Sequence, residues 1–140
     1  MWKYAALGAI VIVLAGAAAL YLFRDTREYA TVEAASGEQG KLRLVSGPYD
    51  DKAKCDGALK AIVDSMGKAC PTCAVTSACA GTVDAEYADA LASKPLPVPY
   101  VSSEGWREVI HAPGAQALAI CHRIADQVTA RGRPARCVAP

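Results

Sequence analysis

The chain has 140 residues, and because positions 4–23 form one uncharged apolar run, only residues 24–140 remain for a globular part, enough for one domain and too few for two. Fifteen Lys and Arg against fourteen Asp and Glu give a net charge of +1, which argues against a protein that holds nucleic acid by bulk charge. With two His, one Phe, no glycine-rich phosphate loop and no hydrolase or zinc-protease signature, a conventional enzyme finds little support.

At about 1.5 Å per helical residue the run at 4–23 spans roughly 30 Å, the thickness of a hydrocarbon core. Trp2 and Tyr4 bracket it on one side and Tyr21 and Phe23 on the other, where amphipathic rings settle at the two interfaces. A cleavable signal peptide is the competing reading, with Lys3 as basic start and Ala17-Ala18-Ala19 as cleavage site. The uncleaved anchor is favoured because apolar character continues through Leu20-Tyr21-Leu22-Phe23. Small residues at Ala5/Ala9 and Ala15/Ala19 have a spacing that lets helices approach in lipid, though alanine-rich anchors also show it by chance. Lys3 on one side and Arg24 and Arg27 on the other leave orientation open by charge alone. The cysteines decide it: all six follow the apolar run, and an even number in a small domain fits an oxidising compartment. The expected topology is a single-pass protein of a bacterial inner membrane with its C-terminal domain in the periplasm.

Residues 24–40 are polar without a sustained period and end in Ser36-Gly37-Glu38-Gln39-Gly40, so the expected division is an anchor to residue 23, a linker at 24–40 and a domain at 41–140. Lys41-Leu-Arg-Leu-Val45 alternates as a half-buried strand does, and Ser46-Gly47-Pro48 supplies a turn. Asp50 or Asp51 can cap a following helix in which Cys55, Leu59, Ile62, Val63 and Met66 form one apolar stripe, with Gly67 at its end. A strand at 73–79, a short helix at 84–92, a proline-rich crossing, strands at 98–102 and 106–111, a second amphipathic helix marked by Ala117, Cys121, Ile124 and Val128, and a last strand at 136–138 complete the order. Such an order folds as an α+β sandwich, two helices on one face of a mainly antiparallel sheet.

The segment Leu42-Arg-Leu-Val-Ser-Gly-Pro-Tyr49, followed by a helix with Ala58 and Leu59 inward, resembles the first half of SPOR domains over residues 41–67. The resemblance implies a βαββαβ, ferredoxin-like domain behind a single membrane anchor, binding septal peptidoglycan; disulfide bracing is expected from the cysteine count. The six Cys and the inserted loop at 82–97 depart from that pattern.

Cys70-Pro71-Thr72-Cys73 is the one motif with chemistry of its own. A thiol oxidoreductase places such a pair at a helix N-terminus, where the dipole favours thiolate, whereas here a helix precedes it and a strand follows. A metal site would need a second ligand pair, which Cys79, His111 and His122 do not supply by spacing, so neither metal nor other cofactor is expected. Three disulfides bracing a small core account for Cys55, Cys70, Cys73, Cys79, Cys121 and Cys137 together. Six Cys allow about 15 pairings and the sequence does not choose among them; element order suggests Cys55 with Cys79, Cys70 with Cys73 and Cys121 with Cys137.

His122 falls at the edge of its helix face and His111 ends a strand, with no triad in view. Arg123, Arg131, Arg133 and Arg136 read either as cations at a helix C-terminus or as a patch for lipid head groups or an acidic wall polymer. Trp106, beside a glycine turn, reads as strand core or as an exposed anchor for a ligand. The function expected is therefore non-enzymatic. The expectation is a membrane-anchored module, set in the lipid bilayer, that binds peptidoglycan or another envelope partner; an accessory subunit of a larger membrane complex, or a thiol-disulfide oxidoreductase using Cys70 and Cys73, are the alternatives.

Overall fold

A computed structural model of the chain describes residues 27–37 and 40–140; the expected membrane segment lies outside the described residues. Among the described residues no helix is long and apolar enough to cross a membrane. They form a small α+β domain in the order β1 (Glu28–Ala35), β2 (Lys41–Tyr49), α1 (Lys52–Ala69), β3 (Ala74–Ala80), α2 (Ala85–Leu91), β4 (Tyr100–Ser103), β5 (Trp106–His111), α3 (Gln116–Ala130) and β6 (Ala135–Val138).

Strand β1 is the main departure from the expected layout, since it occupies the stretch assigned to the linker. Its sequence Glu-Tyr-Ala-Thr-Val-Glu-Ala-Ala does alternate, and Ala30, Val32 and Ala34 are buried. The apolar side of that alternation is mostly alanine, a weak strand former, so the period is easy to miss beside two Glu. It is nonetheless an interior strand, antiparallel to both β2 and β3.

Strand β2 also runs through the expected turn at Ser46-Gly47-Pro48. Ser46 pairs with Ala30 on one side and Trp106 on the other, and the Gly47 N–H donates to the Gly105 carbonyl at 3.0 Å. The β1 register shifts between Ser46 and Tyr49 and Gly47 takes φ +129, so the segment whose composition favours a turn becomes an irregularity within β2 and does not end the strand. Helix α1 starts as expected, the Asp51 side chain accepting from the Lys54 N–H at 2.8 Å. It passes Gly67 and ends with Cys70, whose N–H donates to the Met66 carbonyl at 2.8 Å. At the β1–β2 connection, Gly40 has φ +107, and any side chain there would collide with the His111 carbonyl oxygen, so only glycine fits.

All six strands form one antiparallel sheet in the order β3-β1-β2-β5-β4-β6. That order contains a repeat. Strands β1, β2 and β3 with α1 form a ββαβ unit ordered β3-β1-β2, and β4, β5 and β6 with α3 form the same unit ordered β6-β4-β5. The two units meet through β2 and β5 about an approximate two-fold axis at the Val45–Arg107 pair. Disulfides fall at matching places: Cys55 on α1 joins Cys79 on β3, and Cys121 on α3 joins Cys137 on β6. The third joins Cys70 to Cys73, as element order suggested for all three, and no free cysteine is left.

Both α1 and α3 lie on one face of the sheet. Cross-strand register puts Ala30, Val32, Ala34, Leu42, Leu44, Val101, Trp106, Glu108 and Ile110 on that face. On the opposite face α2 and the proline-rich crossing cover Tyr100 and Val109 with Ala90 and Leu96. The two long helices are seated unequally. Ala117, Cys121 and Ala125 of α3 pack closely on Val101 and Ile110, whereas on α1 only Cys55 is buried and Leu59, Ile62, Val63 and Met66 stay half-buried. The stripe read from the sequence is real, but the sheet covers only part of it.

Candidate functional site

The uncovered part of the α1 stripe forms one wall of a groove of about 460 Å³ between α1 and α3. Ile62 and Met66 face Ile124 and Val128 across it, and Leu44, Trp106 and Glu108 form its floor. At one end it meets a second recess, of about 660 Å³, that runs towards Lys41, Gln116 and Arg123. Cys70 and Cys73 line both, so their disulfide sits at the junction.

Glu108 is the unusual residue of this surface. It is 8% exposed, and its strand neighbours on the same face are Leu44, Val101, Trp106 and Ile110, none of which can neutralise a charge. Burial pushes its carboxyl up to about 7, with no hydrogen bond or opposite charge to offset it. Every fully buried polar side-chain atom among the described residues has a hydrogen-bond partner, so the Glu108 oxygens retain some access to solvent, and that access is through the groove they line.

The repeat shows that the fold does not require a charge there. From Cys137 through its strand partner Val101 the register leads to Glu108; from Cys79 through Ala30 it leads to Ser46. Ser46 is also buried, but its hydroxyl lies 2.5 Å from the Tyr49 hydroxyl and donates to the Gly105 carbonyl at 3.3 Å. One half satisfies its buried polar group internally and the other leaves a carboxyl facing the groove.

A second charged cluster lies on the opposite face and has a structural part. Arg43 donates to Glu33 at 3.1 Å, to Glu86 at 2.6 Å and to Asp84, and stacks 4.4 Å above the centre of the Tyr87 ring. Burial opposes its charge, but the bonds to Asp84 and Glu86 outweigh that and raise its pKa further. Burial likewise opposes ionisation of Glu86, yet hydrogen bonds with His111, at 3.0 Å, and Arg43 hold its carboxyl below the usual range. The cluster pins α2 to the sheet and occupies His111.

The residues singled out from the sequence are dispersed. Arg131 lines the groove, Arg123 the adjoining recess and Arg133 a shallow recess beside Gly105, while Arg136 pairs with Ser102 on the sheet face away from α3. The four arginines therefore do not share one surface. Trp106 is half-buried, packing partly on the core beneath α3 and lining the groove. His122 is exposed. Cys70 caps the C-terminal end of α1, where the helix dipole disfavours a thiolate.

Glu108 carries a signal of its own in the sequence. In Trp-Arg-Glu-Val-Ile-His, positions 106, 108 and 110 share one face, so a carboxylate stands between two large apolar residues. Compared with protein-family models, curated proteins and solved structures, the chain matches none.

Proposed function

We propose that the protein is a membrane-anchored binding module of the bacterial envelope, acting outside the cytoplasm without catalysis, with the groove between α1 and α3 as its binding surface. The observation that carries this reading is the partly covered stripe of α1, an apolar helix face left open beside a buried carboxyl. Large apolar side chains held half-open in a groove favour a contact surface. Three disulfides support the oxidising compartment, and the uncharged run at 4–23 supports the anchor. The resemblance to SPOR domains at 41–67 names peptidoglycan as one envelope component to test; the apolar lining favours a less polar partner, as an accessory subunit of a membrane complex would meet.

A photo-crosslinking side chain at Gln127, an exposed position on the groove wall, tests this in cells expressing the full chain. The expected result is a discrete adduct that disappears when Ser65→Phe fills the opposite wall. No adduct from Gln127, combined with retention of the full chain on isolated sacculi, would move binding to another face and overturn the groove as the site.

A further inference from the structure

Resting on the groove as the binding surface, we infer that its ligand is a small amphiphile whose apolar body lies between α1 and α3 and whose ammonium group is received by the Glu108 carboxylate. The groove's volume, about 460 Å³, is that of a small-molecule site. Its walls are mainly apolar side chains, Ile62 and Met66 on one side and Ile124 and Val128 on the other, with Ser65, Gln127 and Arg131 at exposed positions, and this lining suits an aliphatic or aromatic body. The polar end of the ligand is fixed by what the floor lacks. Among the described residues, a carboxyl surrounded by Leu44, Val101, Trp106 and Ile110 has no cation beside it, and a buried carboxylate is stabilised only by an opposite charge or strong donors. An ammonium supplies both, as charge and as three N–H donors. Trp106, two residues away on the same face, adds a ring over which a cation is favoured.

Serine at the matching position of the other half excludes the simplest alternative, that the fold needs a charged residue there. The ligand would do for Glu108 what Tyr49 and Gly105 do for Ser46. Groups that could compete for the carboxyl are few. Among the described residues, α1, β1, β2 and β4 bring no titratable side chain to this part of the groove, and from the α3 side only Arg131, an exposed residue, lines it. Binding should therefore follow ionisation of Glu108 alone. Since affinity scales with the fraction of protein in the competent form, it should strengthen as pH rises through about 7.

The test uses the full chain carrying Trp2→Phe, which leaves Trp106 as the sole tryptophan and a reporter inside the groove. Hexylammonium, hexanol and hexanoate serve as probes of equal apolar length. The expected result is a saturable change in Trp106 emission with hexylammonium, at least about tenfold tighter than with either other probe, and at least about tenfold tighter at pH 8 than at pH 5. Glu108→Gln should abolish the preference for the ammonium. Ser65→Phe, at an exposed groove position, should weaken all binding while leaving Glu108 in place. Equal affinity for hexanol and hexylammonium, an unchanged preference in Glu108→Gln, or tighter binding in acid would each overturn the ammonium assignment. Should Glu108→Gln not fold, the probe series, the pH dependence and Ser65→Phe still decide. A groove-dependent adduct from Gln127 with no ammonium preference would leave the binding surface standing and remove only this ligand.

Discussion

Glu108 and Arg43 are charged residues on neighbouring central strands, and their surroundings treat them in opposite ways. Arg43 is met by Glu33, Asp84 and Glu86, so its half-buried charge is compensated. Glu108 has no such partner, and folding raises its pKa from 4.5 to about 7. The folded state then holds a proton that the unfolded chain has released between these values, so this residue lowers stability progressively as pH rises from about 4.5 to about 7. The full penalty above that range is of order 3 kcal/mol. Thermal unfolding of Glu108→Gln against wild type should show the variant more stable at pH 8, with the difference shrinking towards pH 4. A constant difference across that range would mean that the carboxyl is not buried in this way.

Arg43→Met has the reverse effect. It leaves three carboxylates close together beside Tyr87, and a loss of about 2 kcal/mol is expected by denaturant titration at neutral pH, discounted for the partial exposure of Asp84. Asp84 and Glu86 both titrate below their ordinary range; burial opposes this, but the hydrogen bonds they accept outweigh it. Their contribution is present above the unfolded carboxylate pKa and is lost as pH falls through the lowered values. The variant should accordingly lose less stability than wild type on acidification. The alternation of β5 sets Glu108 between Trp106 and Ile110 on one face, but the sequence does not show that the carboxyl lacks a partner, nor what surrounds Arg43. The alternation of β2 put Leu42 and Leu44 on one face and Arg43 on the other, but the carboxylates come from β1 and α2, and only the fold brings these together.

At the scale of elements, helices were read most closely. The Asp51 cap and the Ala117–Cys121 stripe need only local spacing, and the structure places both where the spacing puts them. The structure departs from local preference where neighbours overrule it: β2 resumes its pairing with β1 at Tyr49 beyond an irregularity at Gly47-Pro48, and α1 continues past Gly67. The disulfides act at this scale too. Cys55–Cys79 and Cys121–Cys137 close spans of 24 and 16 residues, each tying a helix to the outermost strand of its unit. Cys70–Cys73 closes a span of 3. Loop-closure entropy gives roughly 3 kcal/mol for each long span and about 2 for the short one. Replacing each pair by alanine should lower the unfolding midpoint in that order; a Cys70/Cys73 variant that loses most would show that this disulfide holds the groove junction together.

Considered whole, the molecule is two ββαβ units joined through β2 and β5, and the joint depends on β1. Without β1, β3 would have no neighbour and β2 would present an unpaired edge in the middle of the sheet. A chain beginning at residue 41, the expected domain start, should therefore fail to unfold cooperatively in circular dichroism melts, whereas one beginning at residue 27 should unfold in a single transition. Cooperative folding of the shorter chain would refute the interior placement of β1. The same symmetry places the groove on the helical face: the axis brings α1 and α3 to one side, where Ala117 and Ala125 of α3 are buried while the larger stripe of α1 stays half-buried.

The sequence by itself determined the α+β class, the order of elements from β2 to β6, the inward stripes of both long helices and a plausible cysteine pairing. All of these follow from periods and caps that a short stretch of chain carries within itself. Tertiary structure alone decided that β1 is an interior strand, that the units are related by a two-fold axis, that four neighbouring arginines part company, and that Glu108 lies in a groove without a partner. The physical reason is common to them: each depends on which strand lies beside which, and cross-strand register joins residues whose separation along the chain carries no local signal.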